Sequence, residues 1–210
     1  MNDKLKTELS RFWEWAGMTK EEYSQTPDFG DWENGYPYWS DIYCEAEKTI
    51  NLISTNKVHL QMNEIITVLL EAIAIDNNNE KIIKDCKSVA GIFPEFSEIA
   101  IVHQQPEARR QVAELMGKIG DSFFINYLRL MVNDKVNYVQ RSALLSIAKI
   151  IPNEAEEIAF GKISENDEYI KLFSLRLLKE LSSSRLVKAV EALQYDESIL
   201  IQHEIKEIII

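Results

Sequence analysis

Glycine and proline are scarce, with 7 and 5 in 210 residues, about half their average share. So few breakers exclude a collagen-like chain and leave a mostly helical one. Cysteine is rarer still. Cys44 and Cys86 are the only two, too few for a disulfide scaffold. They are expected as two buried thiols. No apolar run approaches the roughly 20 residues of a membrane span, because Thr67 and Glu71 interrupt the longest, Ile65 to Ile75. The opening segment MNDKLKTELS has no apolar core and no small-residue cleavage site, so a cytoplasmic location is expected. Positive charge is short as well: 23 Lys and Arg stand against 34 Asp and Glu, for a net charge of −11. That disfavours nucleic acid and anionic membrane as partners, since both are bound mainly through Lys and Arg.

Chemistry-bearing patterns are missing too. His59, His103 and His203 have no partner at i±3 or i±4, whereas a metal site needs three or four converging ligands. The seven glycines make no phosphate-binding loop, and no nucleophile elbow is present. The expectation is no catalytic residue, no metal and no cofactor.

What is present is unevenly placed. Ten of the 20 aromatic residues, including Trp13, Trp15, Trp32 and Trp39, fall between Phe12 and Tyr43. Residues 4–16 read as a helix with Leu5, Leu9, Phe12 and Trp13 on one stripe. Thr19 and Glu22 have capping-box spacing. An aromatic, acidic loop follows over residues 26–38, and residues 40–53 resume a helix. Residues 1–60 are therefore expected to form a helical cap with an aromatic plug.

From residue 62 onward, apolar helical runs of 10–16 residues alternate with short polar breaks such as Asn133–Lys135, Asn166–Asp167 and Asp196–Ser198. A shift of 31 residues superimposes the pattern on itself. Ala108, Val139, Ile170 and Ile201 share one column, Val112, Ala143, Ser174 and Ile205 the next, Met116, Ile147, Leu178 and Ile209 a third, and Ile119, Ile150 and Leu181 a fourth. Within each copy these residues sit at i, i+4, i+8 and i+11, one face of a helix. Looser columns precede them: Phe124, Ala155 and Leu186, then Tyr127, Ile158 and Ala189, then Leu128, Ala159 and Val190. Each unit is a helical hairpin.

The segments PEARRQVAELMGKIGD (106–121) and NDKVNYVQRSALLSIAKII (133–151) resemble the signature of HEAT/armadillo α-helical repeats. In that signature a polar turn with Asp precedes a helix of form V-R-x-x-A-x-x-x-L-x-x-I. The resemblance covers residues 61–210 and implies an all-α solenoid of about five hairpins: 62–91, 95–119, 121–151, 153–182 and 184–210. It also implies that Asp134 ties to Arg141, and that partners bind a concave face lined by second helices. Neighbouring hairpins must stack to bury their faces, yet the chain ends on Ile208, Ile209 and Ile210 with no polar outer helix. Ile205 and Ile209 are expected to pack inward. The same end is where a second copy would associate.

On the second helices, the positions opposite the core columns are Arg110, Glu114 and Gly117, then Arg141 and Leu145, then Leu172 and Arg176, flanked by Tyr138 and Tyr169. Tyr and Arg are enriched at binding hot spots, so Arg110, Glu114, Tyr138, Arg141, Tyr169 and Arg176 are the candidate partner-binding residues. Trp32, Tyr36, Tyr38 and Trp39 form a second candidate surface. Charge by segment is −6 over 1–50, −3 over 51–105, +3 over 106–149 and −5 over 150–210. The basic island falls on the best-formed repeats and would steer an acidic stretch of a partner.

The expected function is thus a non-catalytic, protein-binding helical-repeat module. A sharper version is a bacterial immunity or inhibitor protein whose acidity speeds encounter with a basic toxin. The competing expectation is a helical-repeat enzyme or a helper of assembly or cofactor attachment. Of these, a DNA glycosylase is opposed by the net charge.

Overall fold

The computed structural model describes residues 3–25, 31–55, 62–87 and 93–209. Asp28, His59 and Ile210 lie outside them. Among the described residues the chain is all-helical, without strands. It divides into two compact units, Met1–Leu115 and Met116–Ile210.

The first unit contains α1 (Asp3–Ala16), α2 (Lys20–Gln25), a 3₁₀ turn at Asp31–Gly35, α3 (Trp39–Ser54), α4 (Met62–Ile75), α5 (Lys81–Cys86) and α6 (Phe93–Ala100). Helix α7 (Pro106–Ile119) begins there and runs across the division. The apolar stripe of α1 behaves as its period dictates, with Leu5, Leu9 and Phe12 buried. Helix α4 is apolar almost all round and is buried from Val68 to Ile75, as a helix enclosed by its neighbours must be. It packs against α1, α3, α5 and α6. The capping box forms as its spacing predicts. Glu22 N–H donates to Thr19 Oγ1 at 3.1 Å, and Thr19 N–H donates to Glu22 Oε2 at 2.7 Å. The Thr19 backbone N–H, and after it the Thr19 side chain, hold the Glu22 carboxyl below its ordinary pKa.

The second unit continues with a 3₁₀ turn at Ser122–Phe124, α8 (Ile125–Met131), α9 (Asn137–Ile150), α10 (Pro152–Lys162), α11 (Glu168–Glu180), α12 (Leu186–Leu193) and α13 (Ile199–Ile209). Helix α9 packs on α11 and α11 on α13, while α8 packs on α9, α10 on both α9 and α11, and α12 on both α11 and α13. The described residues of the first three 31-residue columns line the core, while Ile119, Ile150 and Leu181 of the fourth, expected on the same face, are only half-buried. Val139, Ile170, Ile201, Ala143, Ser174, Ile147 and Leu178 are buried, and Ile205 turns inward as expected.

Aspartates explain the polar joints. Asp121 accepts from the Phe123 N–H at 2.8 Å, Asp134 from Val136 at 2.9 Å, Asp167 from Ile170 at 2.8 Å and Asp196 from Ser198 at 2.9 Å. Each satisfies a donor that the start of the next helix or turn leaves open. Gly120 supplies the positive φ, +76°, that ends α7.

One thiol and one glycine depart from expectation. Cys86 is buried, but Cys44 is exposed, and both are free thiols. Cys44 sits on α3 beyond the stripe of Ile42, Ala46, Ile50 and Ile53 that faces the core. Gly117, expected to face solvent, is buried. A Cβ there would lie 2.4 Å from Ser146 Oγ and 2.8 Å from its Cα, so only glycine permits this approach between α7 and α9.

Candidate functional site

The candidate residues separate between the two units. Arg110 and Glu114 belong to the first, where both are engaged internally. The Arg110 guanidinium donates to Glu114 at 2.8 Å, to Glu80 at 3.1 Å and to Asn77 Oδ1 at 2.9 Å. These bonds fasten α7 to the α4–α5 turn. The flanking carboxylates keep Arg110 firmly charged against the cost of its burial.

Tyr138, Arg141, Tyr169 and Arg176 belong to the second unit. Arg141 sits at cation–π distance from Tyr169, with its guanidinium carbon 5.9 Å from the ring centroid. Arg176 donates from Nε to the buried Glu204 at 2.6 Å and remains 60 % exposed along its side chain. Asp134, expected to tie to Arg141, accepts from the Val136 N–H, and the Gln140 side chain donates to its carbonyl at 2.6 Å. Leu172, expected to face away from the core, is buried, because α11 is covered by α9, α10, α12 and α13.

One row stays open. Tyr169 is 52 % exposed, and the next position in its 31-residue column, Leu200, is 44 % exposed beside the still more exposed Ile199. The two turns that carry these residues are joined. Ser198 Oγ donates to Glu168 Oε2 at 2.6 Å, and Lys171 pairs with Asp196. Tyr169, Ile199 and Leu200 thus flank bonded neighbours on a fixed framework. Sequence reasoning named the two tyrosines and missed Leu200 and Ile199, although the same 31-residue shift reaches Leu200.

In the second candidate surface Tyr36 is buried, Trp32 and Trp39 are half-buried and Tyr38 is exposed. Tyr36, expected at a contact surface, is 3 % exposed and packs edge-on against Phe12 at 5.2 Å and Trp39 at 6.0 Å. Trp32 stacks on Trp15 at 5.9 Å, and Trp39 Nε1 donates to the Glu33 carbonyl at 2.8 Å. Tyr38 alone is exposed, with the Arg11 guanidinium 3.2 Å above its ring. Beneath the cluster, Trp13 Nε1 donates to the buried Glu71 at 2.7 Å.

Among the described residues, no group of three or more His, Cys, Asp and Glu side chains is placed to hold a metal ion. None of the described helices is long and apolar enough to cross a membrane. Comparison of the chain with protein-family models and with curated proteins gives no match.

Proposed function

We propose that this protein is a protein-binding helical-repeat module without catalysis of its own, built of stacked HEAT/armadillo-like hairpins. The observation that carries the reading is the contrast between adjacent columns of the second unit. Val139, Ile170 and Ile201 are closed in the core, while the preceding column turns Tyr169 and Leu200 to solvent on a bonded frame. A large aromatic ring that ordering ties down in advance costs little entropy on association, and Arg141 beside it adds a hot-spot residue type. The net charge of −11 favours rapid encounter with a basic protein, which is the reading as an immunity or inhibitor protein of a bacterial toxin.

Capture of partners from the native host tests this directly. Wild-type protein retains a stoichiometric partner that Tyr169→Ala and Leu200→Ser lose while keeping their helical content. If wild type and variants capture the same set of proteins, this surface is not the binding site.

A further inference from the structure

The first unit contains a cleft of about 350 Å³ between α2, α4 and the connection from α6 to α7. That volume is within the range of small-molecule sites. Its polar lining includes Lys20, Thr67, Glu71, His103 and Gln105, with the exposed Val102 at its edge.

The charged end is already closed. Glu71 is buried, with one carboxylate oxygen taking the Trp13 Nε1–H at 2.7 Å and the other the Lys20 ammonium at 2.5 Å. An added anion would meet Glu71 and an added cation Lys20. The site therefore suits a neutral molecule.

Gln105 is the opposite case. It is 2 % exposed, and neither its side-chain nitrogen nor its side-chain oxygen has a hydrogen-bond partner. Buried amides are almost always paired, because leaving both ends unsatisfied is costly. The backbone around it is firmly held. The buried Arg109 guanidinium donates to the carbonyls of His103 at 2.6 Å and Gln104 at 3.0 Å, and the Gln105 N–H donates to His103 Nδ1 at 3.3 Å. Burial lowers the His103 pKa, so the ring is neutral and Nδ1 accepts. The arrangement holds the Gln105 backbone beside the apolar lining of Ile99 and Val102, with the unpaired donor and acceptor of its side-chain amide covered from solvent.

We propose that this cleft binds a small neutral molecule with a cis-amide edge, of the lactam or nucleobase class, paired to the side-chain amide of Gln105. The ligand N–H meets Gln105 Oε1 and the ligand carbonyl meets Gln105 Nε2. Entry displaces the exposed side chains of Val102 and Gln104.

Uracil, cytosine, hypoxanthine and 2-pyrrolidinone serve as probes, titrated against the full chain by saturation-transfer NMR. At least one binds, and Gln105→Leu weakens it about tenfold or more, the loss expected for two hydrogen bonds. Without probe, Gln105→Leu and Gln105→Met melt at or above the wild-type temperature, because an unpaired buried amide has been replaced by an apolar group of similar shape. Absence of binding by all four probes, equal binding to Gln105→Leu, or a lowered melting temperature for both probe-free variants overturns the proposal.

Discussion

The Tyr43 hydroxyl donates to Asp76 Oδ1 at 3.0 Å, and the other oxygen of that carboxylate takes the Ile82 N–H at 2.8 Å. Together they join α3 to the turn between α4 and α5. Burial pushes the Asp76 pKa up to about 6 and raises that of Tyr43 too. The folded protein thus holds the Asp76 proton more tightly than the unfolded chain does. Stability owed to this group is complete below the unfolded pKa near 4 and falls as pH rises toward 6. The loss is on the order of 3 kcal/mol. In Asp76→Asn this component is absent. The difference in unfolding free energy between wild type and variant, followed by urea titration from about pH 4 to 7, falls through that window and is flat above it.

Gly117→Ala reverses a usual rule. An alanine inside a helix ordinarily gains about 1 kcal/mol over glycine. Here the added methyl meets the side chain and Cα of Ser146, and the variant loses about 2–3 kcal/mol as an overpacked contact. Ser146→Gly in the same chain recovers part of the loss. A double-mutant cycle by thermal or urea unfolding measures the coupling.

Asp167 serves two neighbours. It caps α11 through the Ile170 N–H and also takes the Asn137 side-chain amide from the start of α9. Asp167→Ala removes both bonds and costs about 1–2 kcal/mol, whereas Asp167→Asn keeps a cap oxygen and costs less. Urea unfolding of the three proteins gives the order directly.

Arg129 grips Glu154 with two parallel bonds, 2.6 Å from Nε and 2.8 Å from Nη2, joining α8 to α10. This pairing holds the Glu154 carboxyl below its ordinary pKa and raises that of Arg129. The pair is solvent-facing, so Arg129→Lys changes stability by well under 1 kcal/mol. Its NMR signature is clearer. The Glu154 carboxyl titrates at higher pH in Arg129→Lys than in wild type.

The helices and the buried columns were legible because a 31-residue shift preserves helix phase, so Val139 predicts the burial of Ile170 and Ile201. The Thr19–Glu22 cap was legible for a similar reason, since all its partners lie within four residues. What escaped depends on distant neighbours. Arg110 finds Glu80 30 residues upstream, where no periodicity relates them. Leu172 was misplaced because α11, packed on α9, α10, α12 and α13, buries more than the one stripe its period shows, and Gly117 because Ser146 of α9 closes over it. The cleft gave a single sign in the sequence, the acid Glu71 within an apolar helix, and that sign did not reveal Lys20, His103 or Gln105 beside it.

Photo-crosslinking from position 169 tests the central claim most directly. A benzoyl-phenylalanine replaces Tyr169 in one sample and the exposed Glu157 of α10 in the other, and both are irradiated in the native host. The account predicts one dominant protein adduct from position 169, suppressed by excess wild-type protein, and no matching adduct from position 157. No adduct from position 169, or the same set from both positions, would contradict it.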